Sequence, residues 1–311
     1  MKTMKAIFFI LFAYFFTGSI FAQGDVRFLS SDDIKRLKDR QMIVVVSVPD
    51  PKIVSKFEGK SKPKVVEEYE QIIKNYNDNM KACVTKFWTI NTGEVLYKTR
   101  AEVNEMMKDK SNMDKYYLMY CYSIGTDGYK SDFSWSINGS GQKIEGHNTN
   151  FAIEIPGDKD KFGVHKIFDQ DEFNGLIPTA VELATFILAR NYNFNYILNN
   201  NGKIEKDIML KENMNKLKNK TLLVLKDKLN PKIVDDLGKF YPGKFKLVDE
   251  DEMIKAIVSA NPDDAYLIKT NFAYVIDCKD GATLGYSYKG ISHSESGIAK
   301  DCFQDLAKYC K

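Results

Sequence analysis

The apolar positions of the chain fall in short uninterrupted runs separated by amphipathic stretches, and one such passage occurs twice. Residues 34–54 carry the run Met42, Ile43, Val44, Val45 and Val46 ahead of Pro51. Residues 214–234 repeat the passage with Leu222, Leu223, Val224 and Leu225 ahead of Pro231, and seven positions are identical with no gap. A run without polar alternation marks a strand covered on both faces. The dipeptides Asp50-Pro51 and Asn230-Pro231 follow at the same offset. Asp or Asn supplies an N-cap acceptor, and proline at the first helical position gives up only an N–H that has no intrahelical partner. Each copy therefore predicts a short helix, a buried strand, a turn and a second helix, and the chain reads as one α/β unit laid down in tandem.

The rest of each copy runs in parallel. Between residues 63 and 84 apolar side chains recur at threes and fours, among them Val66, Tyr69, Ile73, Tyr76 and Met80, which predicts a long amphipathic helix peculiar to the first copy. The second copy passes from residues 231–240 through Tyr241-Pro242-Gly243 to a strand at 244–248, and 86–90 is its expected counterpart. Thr99 with Glu102 and Asp249 with Glu252 are capping signatures for helices over 101–108 and 252–259. Tyrosine-rich strands are expected at 116–124 and 265–271. A hairpin follows in each copy. In the second it joins 272–278 to 283–289 around Asp280-Gly281, a strong short-range turn signal. In the first it joins 132–137 to 142–147 around Asn138-Gly139-Ser140-Gly141, with 151–155 as an added strand; residues 157–174 carry no assignable pattern. Closing helices are expected at 178–190 and 296–309. Six asparagines and Gly202 within 191–203 predict a turn-rich connection between the copies.

The expected fold is thus α/β (α+β), two tandem βαβαββα units over residues 25–198 and 203–311, each an open mixed sheet packed by helices. Residues 1–22 read as a signal peptide. Lys2 and Lys5 precede an apolar core over 6–16 and the small-residue exit Gly18-Ser19-Ile20-Phe21-Ala22. Export to the periplasm or beyond is the expected address, with an uncleaved signal anchor as the alternative. No later run reaches the roughly 18 apolar residues of a spanning helix. Lys and Arg total 45 against 42 Asp and Glu, so the footprint of a nucleic-acid binder is missing.

Residues 214–311 resemble the small periplasmic α/β domain found at the amino end of the Tol-system β-propeller protein, in curli-export lipoproteins and in lipoprotein activators of peptidoglycan synthases. The resemblance rests on the strand at 244–248 leading into a capped helix, the hairpin with Asp277 and Asp280-Gly281 at its turn, and the terminal helix. It covers about a third of the chain, or two thirds with the first copy included, and implies action by protein contact. The chain lacks that group's lipid-anchor cysteine and propeller repeat.

Candidate chemistry is sparse. His147, His165 and His293 stand apart from one another, and none has zinc-type spacing to a cysteine or carboxylate. No metal or cofactor is expected. His293-Ser294-Glu295-Ser296 reads as a helix cap in preference to a nucleophile with its base. Cys83, Cys121, Cys278, Cys302 and Cys310 are expected as small buried apolar residues, a bridge from Cys278 to Cys302 or Cys310 being the rival. Aromatic residues make up 13% of the chain; the strand tyrosines read first as a sheet covered on both sides, and Tyr69, Tyr76, Tyr120 and Tyr122 are the candidates for a contact surface as the alternative. Asp50 and Asn230 are added because they sit where a strand's carboxyl end meets a helix, the usual ligand crevice of an open α/β sheet. The expected function is an exported non-enzymatic binding or scaffold protein with a protein or envelope partner. The alternative is a small-ligand receptor or hydrolase with its site between the units.

Overall fold

The computed structural model describes residues 31–310 apart from 61–62, 92, 125–129, 132–134, 138–143, 147–148, 160–164, 174–177, 201–211, 270–272 and 290–296. The expected signal peptide, His147, His293 and the Asn138 to Gly141 turn lie outside the described residues. The first unit runs α1 (Ser31–Lys38), β1 (Gln41–Val46), α2 (Pro51–Glu58), α3 (Pro63–Phe87), β2 (Leu96–Thr99), α4 (Arg100–Met106) and β3 (Tyr116–Ile124). It continues with β4 (Lys130–Ser131), β5 (Trp135–Ile137), β6 (Ile144–Gly146), β7 (Thr149–Lys159), β8 (His165–Phe173) and α5 (Ala180–Asn199). The second runs β9 (Thr221–Leu225), α6 (Leu237–Phe240), β10 (Phe245–Val248), α7 (Glu250–Val258), β11 (Asp264–Lys269), β12 (Ala273–Asp277), β13 (Thr283–Ser287) and α8 (Lys300–Leu306).

Both sheets have the same plan. The first has the order β2-β1-β3-β7-β8 with β4 beside β3, and the second β10-β9-β11-β12-β13. The repeated strands β1 and β9 each lie between two parallel neighbours. The register matches residue for residue. Across the first sheet Tyr97, Val44, Met119, Ile153 and Asp169 pair in line, and across the second Leu247, Val224, Leu267, Val275 and Gly285 do so. A bulge follows Ile153 in one and Val275 in the other, at the same place in the pattern.

Several boundaries differ from the sequence reading. The strand expected at 86–90 is the end of α3, where Phe87 is still on the buried stripe, and the true counterpart of β10 is β2. Instead of entering a ladder, the stretch after α3 is tied by side chains: Asn191 Oδ1 accepts the Thr89 N–H at 2.8 Å, and the Trp88 ring meets Phe194 edge-on at 5.8 Å. Those bonds also keep the asparagine-rich stretch helical, so α5 runs to Asn199 where a connection was expected. Tertiary partners outweigh the weak helix propensity of Asn here. The counterpart of the second unit's hairpin is β7 with β8, which takes in 157–159 and 165–173 of the unassigned stretch; among the described residues β5 and β6 pair only with each other. In the second unit the helix expected over 231–240 is broken into a 3-10 turn, Pro231–Ile233, and α6. The last helix starts at Lys300, with Ala299 at its N-cap and no side-chain cap.

The two units share a core. Its largest cluster joins Val44, Met119, Ile153 and Phe186 of the first unit to Leu223, Met253, Ile257, Tyr266 and Ile276 of the second. Helix α5 lies between the sheets, apolar on nearly every side, with Leu183, Ile187, Phe194 and Ile197 all buried. The faces in contact are not equivalent. Val44 points toward α5, whereas its repeat Val224 points away, into a separate cluster with Leu267, Val275, Cys302 and Phe303. The units are therefore stacked head to tail.

Candidate functional site

The site is built at the carboxyl ends of β1 and β9, where the chain leaves each central strand. In the first unit Asn77 of α3 pairs with this loop through both ends of its amide: Oδ1 accepts the Ser47 N–H at 3.0 Å, and Nδ2 donates to the Ser47 carbonyl at 2.9 Å. The Asp50 N–H donates to the Tyr69 hydroxyl at 3.1 Å. The loop is thus held at both ends while Val48, between them, is 55% exposed. Ile72 of α3 is 44% exposed. Asp50 Oδ1 accepts the Lys52 N–H at 2.8 Å and caps α2, as its sequence context predicts.

The second unit holds the corresponding loop by backbone. The Ile298 N–H donates to the Lys228 carbonyl at 2.8 Å and the Asn230 N–H to the Ile298 carbonyl at 3.0 Å, a short parallel bridge. Gly297 makes this approach with φ +74, and a Cβ there would stand 2.7 Å from the Leu229 carbonyl carbon. Asn230 Oδ1 caps the following turn through the Lys232 N–H at 3.0 Å. Beside this loop lies a cavity of about 650 Å³. Leu229, Pro231, Val234 and Val248 form its floor, and Lys226, Asp227, Asp249 and Glu250 its rim. Asp249 Oδ1 is engaged in capping α7 through the Glu252 N–H at 2.8 Å. Close to the rim, Glu182 in the first turn of α5 accepts the Thr179 N–H at 2.8 Å. Burial pushes the Glu182 carboxyl up and Glu250 adds to this, while the Thr179 N–H and Lys228 oppose it.

The four tyrosines that were candidates for a contact surface are inside, as the reading of a sheet covered on both sides has it. Tyr69, Tyr76, Tyr120 and Tyr122 expose 1%, 2%, 4% and 1%. Tyr69 and Tyr76 sit on the stripe of α3 that faces the sheet, so the spacing that predicts the helix also buries them. The Tyr120 hydroxyl donates to Glu154 Oε2 at 2.5 Å, and the Arg100 guanidinium lies 4.2 Å from its ring centre. Burial and the Glu154 carboxylate push the Tyr120 phenol far up. In the second unit the positions of Tyr120, Glu154 and Arg100 are held by Ile268, Ile276 and Glu250. Of the six residues singled out in the sequence, only Asp50 and Asn230 lie at the strand-end loops with surface to offer, and both act as caps.

All five cysteines are free, four of them buried. Burial pushes the thiols of Cys83, Cys121 and Cys302 up to about 12, so thiolate is scarce at neutral pH. Among the described residues no three His, Cys, Asp or Glu side chains converge as metal ligands. A second cavity, of about 490 Å³, is bordered by Lys289, Asp301, Gln304, Asp305 and Lys308, and both lysines are turned onto Asp305. The features that sequence reasoning missed are the Asn77 clamp and the acid rim. Asn77 is one position beyond the buried Tyr76, and nothing in its spacing marks it. The repeat alignment, however, does place 226–230 at a strand end.

Together these features define an α/β protein of two stacked mixed-sheet units whose strand-end loops are fixed by bonds from outside the loop. Compared with family models, with curated proteins and with solved structures, the chain matches none. Among the described residues no helix is long and apolar enough to cross a membrane.

Proposed function

We propose that the protein is an exported binding or scaffold protein of the cell envelope that works through protein contacts and performs no chemistry of its own. The observation that carries this is Val48 together with Ile72, two large apolar side chains left 55% and 44% exposed on a clamped loop and on the helix that clamps it. Scattered apolar side chains are ordinary on a protein surface. These two are set apart by the Asn77 and Tyr69 bonds, which fix the loop before any partner arrives and so reduce the ordering cost of association. Exposed Glu68, Lys74 and Asn75 on α3 provide a polar surround. The address follows from the pattern of residues 1–22. Weighing against a ligand or hydrolase site between the units is α5, which lies there with most of its side chains buried in the shared core.

The test is photo-crosslinking from position 75 in a cell-envelope fraction. The double substitution Val48→Asp, Ile72→Glu is expected to remove the crosslinked product while stability stays within about 0.5 kcal/mol, the usual range for exposed positions. An undiminished product from the double variant would sink the reading.

A further inference from the structure

We infer that the cavity at the strand ends of the second unit receives a basic side chain, lysine or arginine, carried by an extended protein segment with apolar neighbours. This rests on the reading of the chain as a protein-binding protein and names what one of its faces takes. The cavity stands at the carboxyl ends of the parallel strands β9 and β10, the part of an open α/β sheet where ligands are bound. Its volume is within the usual few hundred to a thousand Å³, and its floor is apolar. Such a floor suits the methylene stem of a long basic side chain, whose charged head stays at the rim.

The rim sets the sign. It carries three exposed carboxylates against one ammonium, and with Asp249 engaged as a cap, Asp227 and Glu250 are the two without a capping role. Asp227 has only a 3.8 Å ion pair to Lys228. Glu250 is within electrostatic reach of Glu182 and helps to raise that carboxyl, and a cation placed at the rim acts in the same opposing sense as Lys228. An anion is disfavoured. The amino end of α7, which would otherwise attract one, already has Asp249 at its cap and Glu250, Asp251 and Glu252 in its first turn. The first unit differs at this place, since Arg100 stands where the second has Glu250 and lies over the Tyr120 ring.

The experiment is a titration of the full isotope-labelled chain, followed by amide chemical shifts, with acetyl-Leu-Arg-Leu-amide and with the same peptide carrying Gln for Arg. The Arg peptide is expected to move the amides of 226–234 and 248–250 saturably and to bind about fivefold more tightly at low salt, the scale of an exposed charge contact. The advantage should vanish in roughly 0.5 M salt, where screening is short-ranged. It should also vanish in the double variant Asp227→Asn, Glu250→Gln. Both positions are exposed, so melting is expected to stay near that of the parent. Equal binding of the two peptides, or no saturable shift at these amides, overturns the assignment. Neither result bears on crosslinking from position 75, so the two readings fail separately.

Discussion

In the first unit the loop after the central strand is held by side chains of a helix, and in the second by the backbone of a later segment. The same result is reached by unlike means, and the contrast extends to other parts outside the ladders. Strand order, register, the bulge and the caps at Asp50 and Asn230 agree between the units, whereas several helices and connections do not. The first has the 25-residue α3 and β4 to β6, and among the described residues the second has neither. The physical reason lies in the two-residue period of a strand. A slip of one residue would turn a whole set of buried side chains to the opposite face, so register resists drift while covering elements can be exchanged. The corresponding faces of the two sheets also differ in character. The face of the second unit that receives α5 presents Ile268 and Ile276, but the same face of the first presents Tyr120 bonded to Glu154.

The sharpest way to break this equivalence is the basic residue before each central strand. Lys220 Nζ donates to Asp277 Oδ1 at 2.8 Å and to the Pro262 carbonyl at 2.7 Å, and Arg40 reaches the Met113 carbonyl and Asp114. Asp277 has 3% of its side chain exposed and Asp114 89%. Lys220→Met leaves a buried carboxylate without its cation, with the Lys279 N–H at 3.0 Å as a remaining donor, and should cost about 3–5 kcal/mol in urea unfolding at neutral pH. Arg40→Met, losing hydrogen bonds with its acid already in water, should cost about 1–2 kcal/mol. Equal losses would mean that the two cations do different work from that drawn here. The pH dependence has a definite sign. Burial raises the Asp277 carboxyl despite Lys220, so the folded chain binds that proton before the unfolded one does. Stability from this group therefore rises as pH falls through the raised pKa, and the deficit of Lys220→Met should shrink on acidification.

Next in size is the contact between units. Gly281 has φ +84, and a Cβ there would stand 2.6 Å from the Leu188 carbonyl oxygen of α5. Gly281→Ala combines left-handed strain with a backbone clash and should cost about 2–4 kcal/mol. Hydrogen exchange should speed up in α5 and in the second unit's hairpin together; a change confined to the hairpin would argue that the units are only loosely joined. The smallest effect sharpens the match. Asp50→Ala and Asn230→Ala each remove one N-cap bond and should cost about 1 kcal/mol apiece by thermal melting. A several-fold difference between them would end their equivalence.

Much of the fold can be read from the chain because it depends on local period. The run at Val44, its repeat at Val224, the capping pairs Thr99 with Glu102 and Asp249 with Glu252, and the threes and fours of α3 all lie where expected. The candidate site is half legible: Asp50 and Asn230 mark the strand ends, but the candidates Tyr69, Tyr76, Tyr120 and Tyr122 are all buried. An amphipathic stripe shows which residues share a face and not whether that face meets solvent or a sheet.

By itself the sequence determined that one unit occurs twice, since apolar runs and capping residues act over a few neighbouring positions. Only the tertiary structure decided that residues 191–199 continue α5, that β7 and β8 form the matching hairpin, and that the units stack head to tail around one shared core. Those outcomes depend on contacts such as Asn191 with Thr89 and Leu188 with Gly281. Their partners lie about a hundred positions apart, beyond the reach of any local pattern, and burying the apolar surface between them outweighs local propensity.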